Sequence, residues 1–248
     1  MIMTDDTRLR LLEDVSPGAE RPFLPGMGKD WLLPLYDPMT RLMGIRRLQR
    51  RLIELTDLSD GRRLLDVGCG TGNLLLIAAA LVPGAELAGL DPDRRALSRA
   101  ARKATRSGAA LTLVHGYADR LPYPDGSLDR VVSSMALHHL DAASRQGFAA
   151  EALRVLRPGG TVTILDFGGA VGDQPGSADH DHRGHRHGIG FRMSAGLRRR
   201  GLADERVQQN LDDSLPRLLR DGGFAEAQEI EHLDSWMSPI TYVRAVRP

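Results

Sequence analysis

Cysteine is almost absent from this 248-residue chain: there is one, Cys69. A single thiol excludes an intramolecular disulfide and any zinc site built on cysteines, and it fits a reducing, intracellular compartment. Net charge is nearly absent as well, with 33 basic side chains against 32 acidic ones giving +1. No whole-molecule field therefore argues for a polyanionic partner, and nucleic acid is not expected. Lysine is confined to Lys29 and Lys103, a bias that points to base composition rather than function. Aromatic residues make up 4%, too few for an aromatic-rich reader of single-stranded nucleic acid. Long apolar runs are missing too. The longest, residues 74–82, is about half of the roughly 20 residues that a membrane span needs. The first twenty residues carry Asp5, Asp6, Glu13 and Asp14 and read as neither a signal peptide nor an anchor. A soluble, cytoplasmic protein without a membrane span is expected.

What is present is a change of pattern along the chain. Residues 1–30 are polar and rich in turn formers (Pro17-Gly18, Pro22, Pro25-Gly26, Gly28) and read as a loose extension. Residues 31–60 read as a helical cap, in which Leu42, Ile45, Leu48, Leu52 and Leu55 recur at spacings of three and four with Arg46, Arg47, Arg50 and Arg51 between them. An apolar side packed on the main domain with a solvated arginine face is favoured over attraction to an anionic surface.

From residue 61 to 248, β-like runs alternate with helical ones, the signature of a parallel sheet covered on both faces. Strands are expected at 63–67, 86–90, 111–115, 128–134, 161–167, 226–232 and 240–246, and helices at 72–81, 93–106, 142–156 and 204–221. The fold class is thus α/β, a Rossmann-like three-layer sandwich with a mostly parallel seven-stranded sheet whose last strand is antiparallel. A segment rich in histidine, arginine and glycine, 168–201, reads as a lid insertion.

The strand ending in Asp66-Val67 runs into Gly68-Cys69-Gly70-Thr71-Gly72 and then a helix. Glycines at such a turn let a ligand approach the backbone. Nicotinamide dinucleotides need a third glycine where this chain has Asn73, which disfavours them. Nineteen residues past Gly72, Asp91 stands at the end of the next strand in Leu90-Asp91-Pro92, where a carboxylate can accept hydrogen bonds from a ribose diol. Alternatively, Asp91 caps the helix that follows.

Leu64-Leu65-Asp66-Val67-Gly68-Cys69-Gly70-Thr71-Gly72, then Asp91, then Leu121-Pro122-Tyr123-Pro124-Asp125-Gly126-Ser127-Leu128-Asp129, then Leu156-Arg157-Pro158-Gly159-Gly160 together resemble the class I methyltransferases, and within them the ubiquinone and menaquinone C-methyltransferase branch. The resemblance covers about residues 36–167. It implies S-adenosylmethionine as cofactor, with Gly68, Gly70 and Gly72 facing its methionine end and Asp91 holding the ribose. Asp66, Pro92 and Ser134, at the ends of their strands, join the cofactor-binding candidates. Where relatives carry an acid or amide before the Leu-Pro pair, this chain has Tyr117-Ala118-Asp119, so the Ala118 backbone or Asp119 is left to meet the adenine. Tyr36, followed by Asp37, resembles the aromatic–acid pair that closes over the cofactor, or else anchors its helix.

Methyl transfer from a sulfonium needs alignment, exclusion of water and a correctly protonated nucleophile more than a catalytic residue. If a base is used, His138 and His139, which follow the fourth of these strands, are the candidates, since imidazole titrates near neutrality. A capping role in the turn is the competing reading. Four of the eight histidines lie in His180-Asp181-His182-Arg183-Gly184-His185-Arg186-His187. The arginines there oppose a dication, so a solvated loop or a cover for the acceptor is favoured over a metal site, and no metal ligand is assigned. The expected reaction is methylation of a small-molecule acceptor, an aromatic or phenolic ring compound. The alternative is a non-catalytic cofactor-binding module with a metal- or pH-sensing histidine loop. A metalloid substrate is disfavoured by the single cysteine, and a weak homodimer is compatible with the sequence.

Overall fold

Short apolar runs bounded by glycine and acidic caps become one sheet in the computed structural model, which describes residues 9–13, 44–168, 214–233 and 239–248. The strands are β1 (Leu9–Glu13), β2 (Arg63–Val67), β3 (Glu86–Asp91), β4 (Leu111–His115), β5 (Leu128–Ser134), β6 (Leu156–Phe167), β7 (Ala225–Leu233) and β8 (Ile240–Val246). The helices are α1 (Ile45–Leu55), α2 (Asn73–Leu81), α3 (Arg94–Ser107), α4 (Ala142–Val155) and α5 (Ser214–Asp221), with a 3-10 turn at Leu137–His139. Tyr36 and the histidine tract lie outside the described residues, as does the first part of the helix expected at 204–221.

The strand order is β1-β4-β3-β2-β5-β6-β8-β7. All pairs up to β6 are parallel, and β8 runs antiparallel to both its neighbours. The α/β class and the antiparallel last strand agree with the sequence, but among the described residues the sheet has eight strands rather than seven. The additional one, β1, pairs along the outer edge of β4. Its five residues, Leu-Arg-Leu-Leu-Glu, have no strong local β preference; a free parallel edge recruits them, a tertiary influence that composition does not register.

Alternating residues of each strand feed two apolar layers. Leu65, Val67, Leu90, Val114 and Val131 meet Phe148, Ala152 and Val155 of α4 and Leu219 of α5. On the other face, Leu64, Leu87, Leu113 and Val132 meet Leu52 and Ile53 of α1, Leu74, Leu75 and Ala78 of α2, and Leu97, Ala100 and Ala104 of α3. Each fully buried leucine contributes about 1.5–3 kcal/mol through removal from water. The arginines of α1 remain at the surface, with Arg50 on Glu54 and Arg51 on Glu231, as the solvated-face reading expects. Chain order reverses between β2 and β5, and Ser133 Oγ donates to the Val67 carbonyl across that seam. Open α/β sheets bind ligands beyond the carboxyl ends of the strands at such a switch point.

Candidate active site

Two turns flank the switch point, one leaving β2 and one leaving β5. In the first, the N–H groups of Gly68 and Cys69 donate to the Leu90 carbonyl at 2.8 and 3.1 Å, folding the loop back onto β3. Gly68 has φ +78°, and a Cβ there would lie 2.5 Å from Cβ of Ala136 in the second turn. Gly72 ends the loop as the left-handed cap of α2, against Ala100. Gly70 differs: a Cβ there would meet nothing within 4 Å, so its backbone borders open space. Gly68 and Gly72 are therefore packed where a side chain would stand, whereas the space beside Gly70 is open. Asn73, which breaks the dinucleotide pattern, accepts from Lys103 of α3 at 2.7 Å, and Thr71 Oγ1 accepts from the same ammonium at 2.9 Å.

Asp91 closes the loop from the end of β3. Its Oδ2 accepts the Gly70 N–H at 2.7 Å and its Oδ1 the Asp93 N–H at 2.8 Å. The helix cap is Asp93 instead, whose side chain accepts from Arg95 N. Each Asp91 oxygen keeps a further lone pair for a ligand. Burial pushes its carboxyl up to about 6, against the pull of those two N–H donors. Asp66 is buried on β2, and burial, aided by the Asp91 charge, raises its carboxyl well above the usual range. Asp66 Oδ1 has no partner among the described residues, and neither does the buried Ser134 Oγ at the end of β5.

The remaining cofactor candidates cluster after β3 and β4. The Pro92 carbonyl accepts from His115 Nε2 at 3.0 Å, which fixes the turn after Asp91. Tyr117 opens a tight turn closed by Arg120 N donating to its carbonyl at 3.1 Å, and its ring centroid lies 6.5 Å from that of His115. Ala118 packs on the core, and Asp119 is seated against Gly147 of α4, where a Cβ would come within 2.5 Å of it.

The second turn is unusual. Met135 takes a left-handed φ of 54°, which swings Ala136 against Gly68 and leads into the 3-10 turn carrying His138 and His139. Their rings lie 4.0 Å apart, and His138 meets Phe167 edge-on at 5.0 Å. His138 Nδ1 is 2.7 Å from Oδ1 of Asp166, a fully buried residue at the end of β6. Arg145 of α4, also buried, donates through Nε to the carbonyls of Leu137 and Leu140. Sequence reading missed Asp166 and Arg145. The available signal was an acid closing the apolar run Ile164-Leu165-Asp166-Phe167 and an arginine in the first turns of a helix on the switch side. Among the described residues, no cluster of three or more histidines, cysteines or acids could hold a metal ion, and no helix is long and apolar enough to cross a membrane.

Comparison with known proteins adds independent findings. A family described as "Methyltransferase domain" matches residues 64–160. The demethylmenaquinone methyltransferase of Thermus thermophilus is 34% identical over 139 residues, covering 55% of this chain and 62% of that protein. The 27-O-demethylrifamycin SV methyltransferase of Amycolatopsis mediterranei is 37% identical over 123 residues, covering 49% of this chain and 44% of that protein. The chain thus spans less than two thirds of the length of either relative. Among solved structures, the [4+2]-cyclase SpnF superposes with a TM-score of 0.60 at 22% identity, covering 82% of this chain and 81% of that one. That likeness concerns the fold, which hosts more than one reaction.

Proposed function

We propose that this chain, whose residues 64–160 are a methyltransferase domain of the class I fold resembling the menaquinone-type branch, transfers a methyl group from S-adenosylmethionine to a small-molecule acceptor. The observation that carries this reading is Asp91, a buried carboxylate tied to the backbone of the open glycine Gly70, with lone pairs to spare for a ribose diol. Asp66 Oδ1, without a partner among the described residues, fits a donor such as the cofactor's ammonium group. S-adenosylmethionine supplies an activated methyl on a sulfonium. The chain's own work is to hold that group in line with the acceptor and keep water out.

The glycine loop and Asp91 lie inside the stretch matched by the methyltransferase-domain family, which favours an enzyme over a non-catalytic binding module. Two relatives named for demethylmenaquinone and 27-O-demethylrifamycin SV support a small-molecule acceptor, and we extend this to an aromatic or phenolic ring. His138 and His139 stand across the switch point from the loop and are the candidates to receive a proton.

Calorimetric titration with S-adenosylmethionine should show one site per chain. A mass-spectrometric screen of phenols, quinones and amines should then find a product heavier by one methyl. No heat of binding would refute the cofactor assignment, and binding without any product across all three classes would favour the binding module.

A further inference from the structure

The geometry around the second turn distinguishes the two histidines. We infer that His138 takes the acceptor's proton through Nε2 and that Asp166 is the positioning residue that leaves this nitrogen free; the inference rests on the methyl-transfer reading above. Asp166 is fully buried, and its carboxylate is surrounded by donors. Oδ2 accepts the N–H groups of Leu137 at 2.9 Å and His138 at 3.2 Å, and Oδ1 accepts the N–H of Phe167 at 2.8 Å. The fourth neighbour is His138 Nδ1, at 2.7 Å from Oδ1. A carboxylate held by three backbone donors can only accept, so the ring nitrogen facing it carries the hydrogen. A neutral imidazole has one N–H, and Nε2 therefore keeps its lone pair.

The turn is fixed from the opposite side too. Arg145 donates to the carbonyls of Leu137 and Leu140 at 3.1 and 3.2 Å, so the turn has two of its N–H groups on a buried anion, and the carbonyls of its first residue and of the residue just past it on a buried cation. Burying two charges to hold one turn is expensive for a mere connector, whereas a reacting group needs such rigidity. Met135 adds a strained left-handed residue at the same place, where strain commonly accompanies function. The contact between Ala136 and Gly68 puts His138 two residues from the cofactor loop. The His139 ring lies tilted against that of His138, but the Asp166 carboxylate addresses His138.

For a phenolic acceptor the step balances as follows. The O–H proton passes to Nε2, the oxygen's electron pair forms the new O–CH3 bond, and the S–CH3 bond breaks with its pair kept on sulfur. The products are a methyl ether, S-adenosylhomocysteine and an imidazolium. The positive charge that began on sulfur ends on His138, facing Asp166.

The test uses the whole 248-residue chain. Long-range 1H–15N spectra of histidine-labelled protein, with His138 assigned by its loss in His138→Gln, should show Nδ1 protonated and Nε2 bare; the reverse tautomer overturns the inference without recourse to any activity. In turnover, His138→Gln and Asp166→Asn should lower kcat about 10²- to 10⁴-fold, the usual contribution of a positioned base, with S-adenosylmethionine affinity held within about twofold. The loss in His139→Gln should be at least about tenfold smaller than in His138→Gln. Wild-type kcat in His138→Gln, or an equal loss in His139→Gln, overturns the assignment. His138 is only partly buried, unlike Asp166, so that variant reads out even if Asp166→Asn does not fold. An unsubstituted chain that fails to bind S-adenosylmethionine would refute the methyl-transfer reading itself, and the base with it, a result distinct from turnover that ignores His138.

Discussion

Replacing Asp91 with asparagine separates what the site requires from what the fold prefers. Burial lifts this carboxyl to about 6, some two pH units above its ordinary value, and each unit is worth about 1.4 kcal/mol. Ionised Asp91 therefore opposes folding by about 3 kcal/mol well above pH 6. Because the folded value is raised, the burden is nil below about pH 4, where the acid is protonated folded and unfolded alike. It grows as the pH climbs from about 4 to about 6. Asparagine has nearly the shape of the protonated acid, so Asp91→Asn should stabilise the ligand-free protein at pH 8 by up to about 3 kcal/mol. Its second amide hydrogen, turned toward the N–H of Gly70 or Asp93, takes back part of that gain. The expected signature is an unchanged or raised Tm at pH 8, by about 2–4 °C per kcal/mol, which vanishes at pH 4. Cofactor affinity should meanwhile fall by about 1.5–3 kcal/mol, roughly 10- to 150-fold, through loss of a charged acceptor. Thermal unfolding at the two pH values and calorimetry at pH 8 read both quantities. A variant that melts lower at pH 8 yet binds S-adenosylmethionine as before would show that Asp91 is only a strut for the loop.

Gly68→Ala should destabilise by about 2–5 kcal/mol in urea titrations, the left-handed backbone adding about 1–2 kcal/mol to the overlap with Ala136. Gly70→Ala should cost about 1 kcal/mol of stability and show its effect in cofactor affinity instead; equal losses of stability would contradict the division between packing and open glycines. Cofactor affinity of the unsubstituted chain should hold from pH 7 to 8 and weaken below about pH 6 as Asp91 takes up its proton, and an affinity flat down to pH 5 would argue against the carboxylate as the binding form. Tyr242→Phe, which removes the hydroxyl donating to the Leu48 carbonyl at 3.0 Å between β8 and α1, should lower stability by about 0.5–1.5 kcal/mol, and a neutral result would mean that water replaces the bond without penalty.

The glycine loop and Asp91 were legible because local spacing encodes them: a strand period stops, glycines follow, and an acid closes the next strand. Asn73 was legible as a departure, but its role was not, because the Lys103 ammonium that it holds comes from a helix thirty residues on. Asp166 and His138 are 28 positions apart and meet only because β5 and β6 are neighbours, a fact of strand order rather than of either local pattern. Arg145 looked like any polar residue near a helix start; only the fold aims it at the carbonyls of the histidine turn. β1 is the clearest case of a feature without a local signature, since its pairing depends on an edge made far downstream.

That dependence orders events in time. Leu9 pairs with Leu111, so β1 is synthesised about a hundred residues before its partner. At ~5–20 residues per second, this is a wait of roughly 5–20 s on the ribosome. The entropy of closing so long a span is modest, because each doubling of loop length adds only about 0.6 kcal/mol, but distant pairings form slowly. β1 thus joins a sheet that β2 to β5 can assemble without it. In the interval Leu11 and Leu12 are unpaired apolar residues on a nascent chain, the kind of segment that chaperones engage.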